Sequence, residues 1–272
     1  MSTSSRLLPR EHGAYAQLAF PVLTGLLLSW PSPAALLLAG AAVSFFLANE
    51  PLAILLGVRG VRLLDREGER ARKRAGLLLA AGSVLGGLGV LLGWPVVWPE
   101  ILPPAGAGLL LIPVVRAGRQ KSLPGEVLVL TAFSTLVLPL VAASGGDPVR
   151  ALLATGVWWL SFLLATLEVH AIKARLKNRG PYRWTRFASP VSAGVLVVVA
   201  AWVALGQGRP VVQALGLDEG WRYLPPAAAA LLPPAVAILA LSMIRVHPRH
   251  LKRVGWTLVG ANGLTLILLL QG

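Results

Sequence analysis

Arg59-Gly60-Val61-Arg62-Leu63-Leu64-Asp65-Arg66-Glu67-Gly68-Glu69-Arg70-Ala71-Arg72-Lys73-Arg74 is the most heavily charged stretch of the chain, and it passes directly into Ala75–Gly93, which carries no charged side chain. Seven basic and three acidic groups cannot enter hydrocarbon, whereas about 20 apolar residues are what a helix needs to cross it. The junction at Arg74 therefore marks a membrane boundary. The same alternation continues in both directions along the sequence.

Apolar runs at 14–30, 33–57, 75–93, 101–115, 124–143, 150–172, 188–205, 224–244 and 254–270 predict an all-α polytopic bundle of about nine transmembrane helices. Hydrophobic residues make up 56% of the 272 and charged residues 13%, a balance that a single soluble core would have difficulty hiding. The loops are short, so residues 1–272 are expected to form a single integral membrane domain. Pro-Pro pairs at 103–104, 225–226 and 233–234 predict a short fourth span and an irregular start and a kink in the eighth.

Positive charge fixes the expected orientation. Two basic residues lie in the N-terminal arm, then seven, three, six and four in alternate loops, 22 of the 25 in the chain. Only Arg150, Arg209 and Arg222 fall on the other side. Cytoplasmic loops collect Lys and Arg, which predicts a cytoplasmic N-terminus and an external C-terminus (N-in/C-out). The same distribution accounts for the net charge of +14 without nucleic acid, because the cations sit at the ends of apolar runs. With no cysteine, thiolate metal sites, disulfides and cysteine nucleophiles are excluded. No cleavable signal is expected at the N-terminus. The expected location is the bacterial cytoplasmic (inner) membrane.

Ionisable groups within spans require a partner or a task. Glu50, beside Asn49, lies nine residues before Arg59, and Glu168 lies five residues before Lys173. Glu11 and His12 open the first span and Gln17 follows within two turns. Together with His170 these groups are expected at similar depth on the cytoplasmic side, ringed by Arg59, Lys121, Lys173 and Arg175. Glu50, Glu168 and His12 are the candidate catalytic groups, and the others are candidate binding residues. The competing reading is that each glutamate pairs with a nearby cation and locks helix ends together. No H-x-x-x-H or H-E-x-x-H spacing accompanies the histidines, so no metal ligands are assigned. His247 and His250 sit in a basic loop and read as solvated.

Pro9-Arg10-Glu11-His12-Gly13-Ala14-Tyr15 resembles the R-E-H-G-A-W opening of the YwiC-like membrane proteins, and Leu47-Ala48-Asn49-Glu50-Pro51-Leu52 and the run His170–Arg179 agree with it. That resemblance implies a multi-pass membrane protein and no particular activity. The chain is also similar to the UbiA group of intramembrane prenyltransferases, which implies nine helices with acidic motifs at the cytoplasmic ends of the second and sixth. There carboxylates hold magnesium against an isoprenoid diphosphate. In this chain the later aspartates of the first motif would fall at Ala53 and Gly57, and the partner of Glu168 at Ile172. The eroded motifs disfavour magnesium, and the cofactor is left open.

Three functions follow. The first is a UbiA-like transferase or a degenerate relative, taking an anionic, isoprenoid-type amphiphile from the bilayer at a cytoplasm-facing cavity. The second is a transporter or lipid-handling protein in which Glu50, Glu168 and His12 carry protons or bind solute. The third is a non-catalytic membrane assembly subunit. The lipid bilayer is the one partner common to all three; oligomeric state is not encoded in any motif.

Overall fold

The computed structural model describes residues 12–177, 184–210, 218–244 and 251–271. Every regular element among these residues is helical: α1 (His12–Leu27), α2 (Pro33–Leu55), α3 (Val61–Leu92), α4 (Val97–Glu100), α5 (Leu102–Arg116), α6 (Leu123–Ser134), α7 (Val137–Ala143), α8 (Pro148–Lys177), α9 (Thr185–Ala204), α10 (Leu224–Met243) and α11 (Leu251–Gln271). A six-residue 3-10 turn, Asp218–Tyr223, supplies the irregular start expected before α10.

Eight helical stretches of the described residues are long and apolar enough to cross a membrane. Two of them join a pair of α-helices. Hydrogen bonds from Ile101 to Val97 and from Ala105 to Ile101 carry α4 into α5, so Val97–Arg116 reaches 20 residues and the short fourth span becomes long enough. Leu123–Ala143 joins α6 and α7 in the same way. Among the described residues the first apolar run forms a further, shorter apolar helix, His12–Leu27, beside these eight. The protein is a polytopic helical membrane bundle.

The chain divides into two compact units, Met1–Asp147 and Pro148–Gly272. In the first, α2 packs along α3, α5 along α6, and α1 against α6 and α7. Ser32 caps α2 by accepting from the Ala35 N–H at 3.1 Å and donates to the Ala143 carbonyl at 2.7 Å, which ties the start of α2 to the end of α7. Leu18, Val22, Leu38, Phe46 and Leu140 form the centre of this unit. The α2–α3 contact is built on Gly82, Gly86 and Gly89 at spacings of four and three. An added Cβ would stand 2.9 Å from the Phe45 ring at Gly82, 3.5 Å from Ala41 at Gly86 and 2.8 Å from Leu38 at Gly89. Small residues at this spacing let two membrane helices approach closely where no hydrophobic effect draws them together.

In the second unit α10 is central, packed by α8, α9 and α11 around Leu164, Ile172, Ala193, Ile238, Leu241 and Leu258. Its Pro233 and Pro234 lie within the helix and lack the N–H groups that would bond the carbonyls of Ala229 and Ala230. In hydrocarbon such a carbonyl needs another donor. The Thr265 hydroxyl of α11 supplies one to Ala230 at 2.8 Å, and both residues are fully buried. Thr265→Val keeps the shape and removes that donor. The expected cost is about 1–3 kcal/mol, read by thermal unfolding in detergent; an unchanged midpoint would mean that the freed carbonyl is satisfied otherwise.

Candidate functional site

The sequence places its membrane-embedded carboxylates at the Lys/Arg-rich ends of two helices, one in each unit. Glu50 lies on α2, five residues before the helix ends, and is 3% exposed. A straight helix would put Arg59 roughly 13 Å away. The chain instead reverses. Gly57, at φ 70°, ends α2 with two bonds, Gly57 N–H to the Ile54 carbonyl and Val58 N–H to the Ala53 carbonyl. This is a helix end that needs a left-handed residue, and glycine takes that conformation without a Cβ penalty. Gly60, at φ 94°, turns the chain again into α3. Between these turns Arg59 folds back and its guanidinium Nη2 donates to Glu50 Oε2 at 2.6 Å.

The α2 turn before Glu50 carries Phe46, which meets Tyr15 of α1 edge-on at 5.1 Å and Phe133 of α6 at 5.8 Å. Asn49 is exposed, about 100° around the helix from the buried Glu50. Gln17 is half-buried on α1 and Lys121 is exposed in the loop before α6. His12 begins α1, but its side chain, like the whole of Glu11, lies outside the described residues. Beyond the sequence expectations, Glu67 on α3 is also buried and stands 3.6 Å from Arg70.

In the second unit Glu168 on α8 is fully buried. Its Oε2 accepts from the Ser189 hydroxyl of α9 at 2.5 Å, and its Oε1 from Arg175 Nη2 at 3.2 Å. The other Arg175 nitrogen, Nη1, donates to the Ser242 carbonyl at the end of α10, 3.4 Å away. Arg186, one turn before Ser189, donates to the Ala174 carbonyl in the last turns of α8. A guanidinium at that point complements the carbonyl-rich end of a helix. His170 is buried between Glu168 and Arg175 in sequence, whereas Lys173 is exposed.

Two candidate pairs are thus joined, Glu50 with Arg59 and Glu168 with Arg175. Ser189 and Arg186 were not singled out from the sequence. Their signal was present in Thr185 and Ser189, two small polar residues one turn apart at the start of an apolar helix, both fully buried. Among the described residues, no group of three or more His, Asp or Glu side chains is gathered as metal ligands would be. Magnesium, implied by the UbiA likeness, does not fit these carboxylates. It takes several oxygen ligands in octahedral geometry, and each glutamate is already committed to a guanidinium.

Helices of this length and composition, with carboxylates neutralised inside the bundle, define an integral multi-pass membrane protein. The YwiC-like protein family profile matches residues 8–143, which takes in the Arg10–Tyr15 opening and the Glu50–Arg59 pair. The chain belongs to the YwiC-like family. The match stops four residues short of the boundary between the two units, so the Glu168 network lies outside it. No curated protein and no solved structure matches the chain at a significant level.

Proposed function

We propose that the protein binds the anionic head of a membrane amphiphile, of isoprenoid type, on its Lys/Arg-rich side, in the manner of a UbiA-like transferase or a relative that has lost the metal. The observation that carries this reading is the Arg59–Glu50 pair. The glutamate is buried and the arginine side chain is 31% exposed. A guanidinium has five N–H donors in a planar fork, and one held from behind by a carboxylate presents the remainder to a second oxyanion. Arg175, 29% exposed against the fully buried Glu168, repeats the arrangement in the second unit. Each glutamate then serves as a positioning group for an arginine and, held as a carboxylate by that guanidinium, Glu50 or Glu168 would act as a base that accepts a proton from the attacking group.

Lipid extraction and mass spectrometry of the purified protein test this. A polyprenyl or quinone-like amphiphile should co-purify with the native chain and be lost in both Arg59→Ala and Glu50→Gln. Buried carboxylates within spans also favour a second reading, proton-coupled transport. No enriched lipid, together with Glu50-dependent proton or solute flux in proteoliposomes, would establish transport in place of binding. The Lys/Arg-rich side is taken as cytoplasmic, with the N-terminus on the cytoplasmic face of a bacterial inner membrane. A cysteine at Gly68, half-buried among the exposed cations of α3, should label only from the cytoplasm. Labelling from the periplasm would reverse the topology and displace the site with it.

A further inference from the structure

The interior of the second unit contains polar groups that the Glu168 network does not use. Asn262 lies at the centre of α11, 6% exposed, and its amide oxygen is buried with no hydrogen-bond donor. It follows Leu258 by four residues and precedes Thr265 by three, so it occupies the stripe of α11 that faces α10. The Thr265–Ala230 hydrogen bond sets the register between these helices. α10 and α11 are consecutive, separated by seven residues and packed against each other, so they run antiparallel, and Leu241 near the end of α10 shares a core cluster with Val254 near the start of α11. Three residues back on α11 therefore meets three residues forward on α10, which brings Asn262 to the level of Pro233. That is the point at which Pro233 fails to supply an N–H to the Ala229 carbonyl. Two acceptors, the Asn262 amide oxygen and the Ala229 carbonyl, thus fall at one depth in the middle of the membrane.

We propose that α10 and α11 form a seat at this level for a neutral hydroxyl group, which donates its hydrogen to Asn262. The ligand must be a donor because the orphaned atom is an acceptor only. It must be neutral because α10 carries no Asp, Glu, Lys or Arg, and α11 has none beyond Arg253, so a charge would have no counter-ion within hydrocarbon. An amine would be protonated and is excluded on the same ground. A water molecule and the hydroxyl of a membrane amphiphile share the required chemistry. Buried polar groups that lack a protein partner are commonly satisfied in this way. The seat is independent of the anionic site proposed above and shares no residue with it.

The test reads the Asn262 carboxamide directly. The chain has three asparagines, so Asn49→Ser with Asn178→Ser leaves Asn262 as the sole carboxamide band in protein carrying isotope-labelled asparagine. Infrared spectra of Asn262→Leu confirm the assignment. The proposal expects the frequency of a hydrogen-bonded amide. If the band survives removal of lipid and moves to the free-amide position when the film is dried, water is the donor. If it moves to the free-amide position on removal of lipid and returns on addition of 1-hexadecanol but not of hexadecane, the donor is an amphiphile hydroxyl. A free-amide band throughout, or a hydrogen-bonded band indifferent to both treatments, would overturn the seat.

Discussion

Replacing Glu168 with leucine should be the most damaging single change in the second unit. The substitution leaves the Arg175 guanidinium without its carboxylate and the fully buried Ser189 hydroxyl without its acceptor. Breaking a buried ion pair costs about 3–5 kcal/mol, and the partial exposure of Arg175 places the expected loss near the lower bound. Glu168→Gln should cost less, since its amide oxygen still accepts from Ser189. The double change Glu168→Leu with Arg175→Met should also lose less than Glu168→Leu alone, because no charge is then stranded. Denaturant unfolding in detergent measures all three. A Glu168→Leu protein as stable as the native one would mean that the network contributes nothing to the fold and is retained for binding alone.

The second large effect belongs to the α2–α3 seam. A side chain at Gly89 would begin 2.8 Å from Leu38 and 3.2 Å from the Ala34 carbonyl, and the carbonyl cannot move without displacing α2. Gly89→Val is expected to cost about 2–3 kcal/mol through overpacking. Gly76, on the same helix with nothing within 4 Å of its would-be Cβ, is the control. There Gly76→Ala should be neutral or should stabilise by up to about 1 kcal/mol, as helix propensity predicts. Equal destabilisation at both positions would show that helix formation, and not close approach, limits this hairpin.

Most of the helices were legible in the sequence because hydrocarbon imposes one rule on every residue of a span. The predicted 33–57, 124–143 and 224–244 end within two residues of Pro33–Leu55, Leu123–Ala143 and Leu224–Met243. Less legible was the end of the first apolar run, 14–30, which is helical only as far as Leu27, because composition does not report where a helix stops. The candidate site was legible in its carboxylates and only partly in their partners. Glu50 and Glu168 stand out as charges in apolar runs, but the Glu50–Arg59 bond depends on a chain reversal at Gly57 that helical spacing does not contain. Ser189 is hidden for a different reason. A serine near the start of an apolar helix is unremarkable until the facing helix is known to carry a carboxylate.

One element has a mechanical consequence. The 32 residues of α3 form a single unbroken helix, roughly 48 Å long, of which only the portion after Arg74 is apolar. The charged remainder is thus a rigid lever joined to the membrane segment. If α3 leaned by about 10° about its far end, the tip at Val61 would sweep roughly 8 Å. The five residues between Leu55 and Val61 connect that tip to α2, and they include the Arg59 that Glu50 holds. A small tilt within the bilayer is therefore felt at its surface as tension on one ion pair.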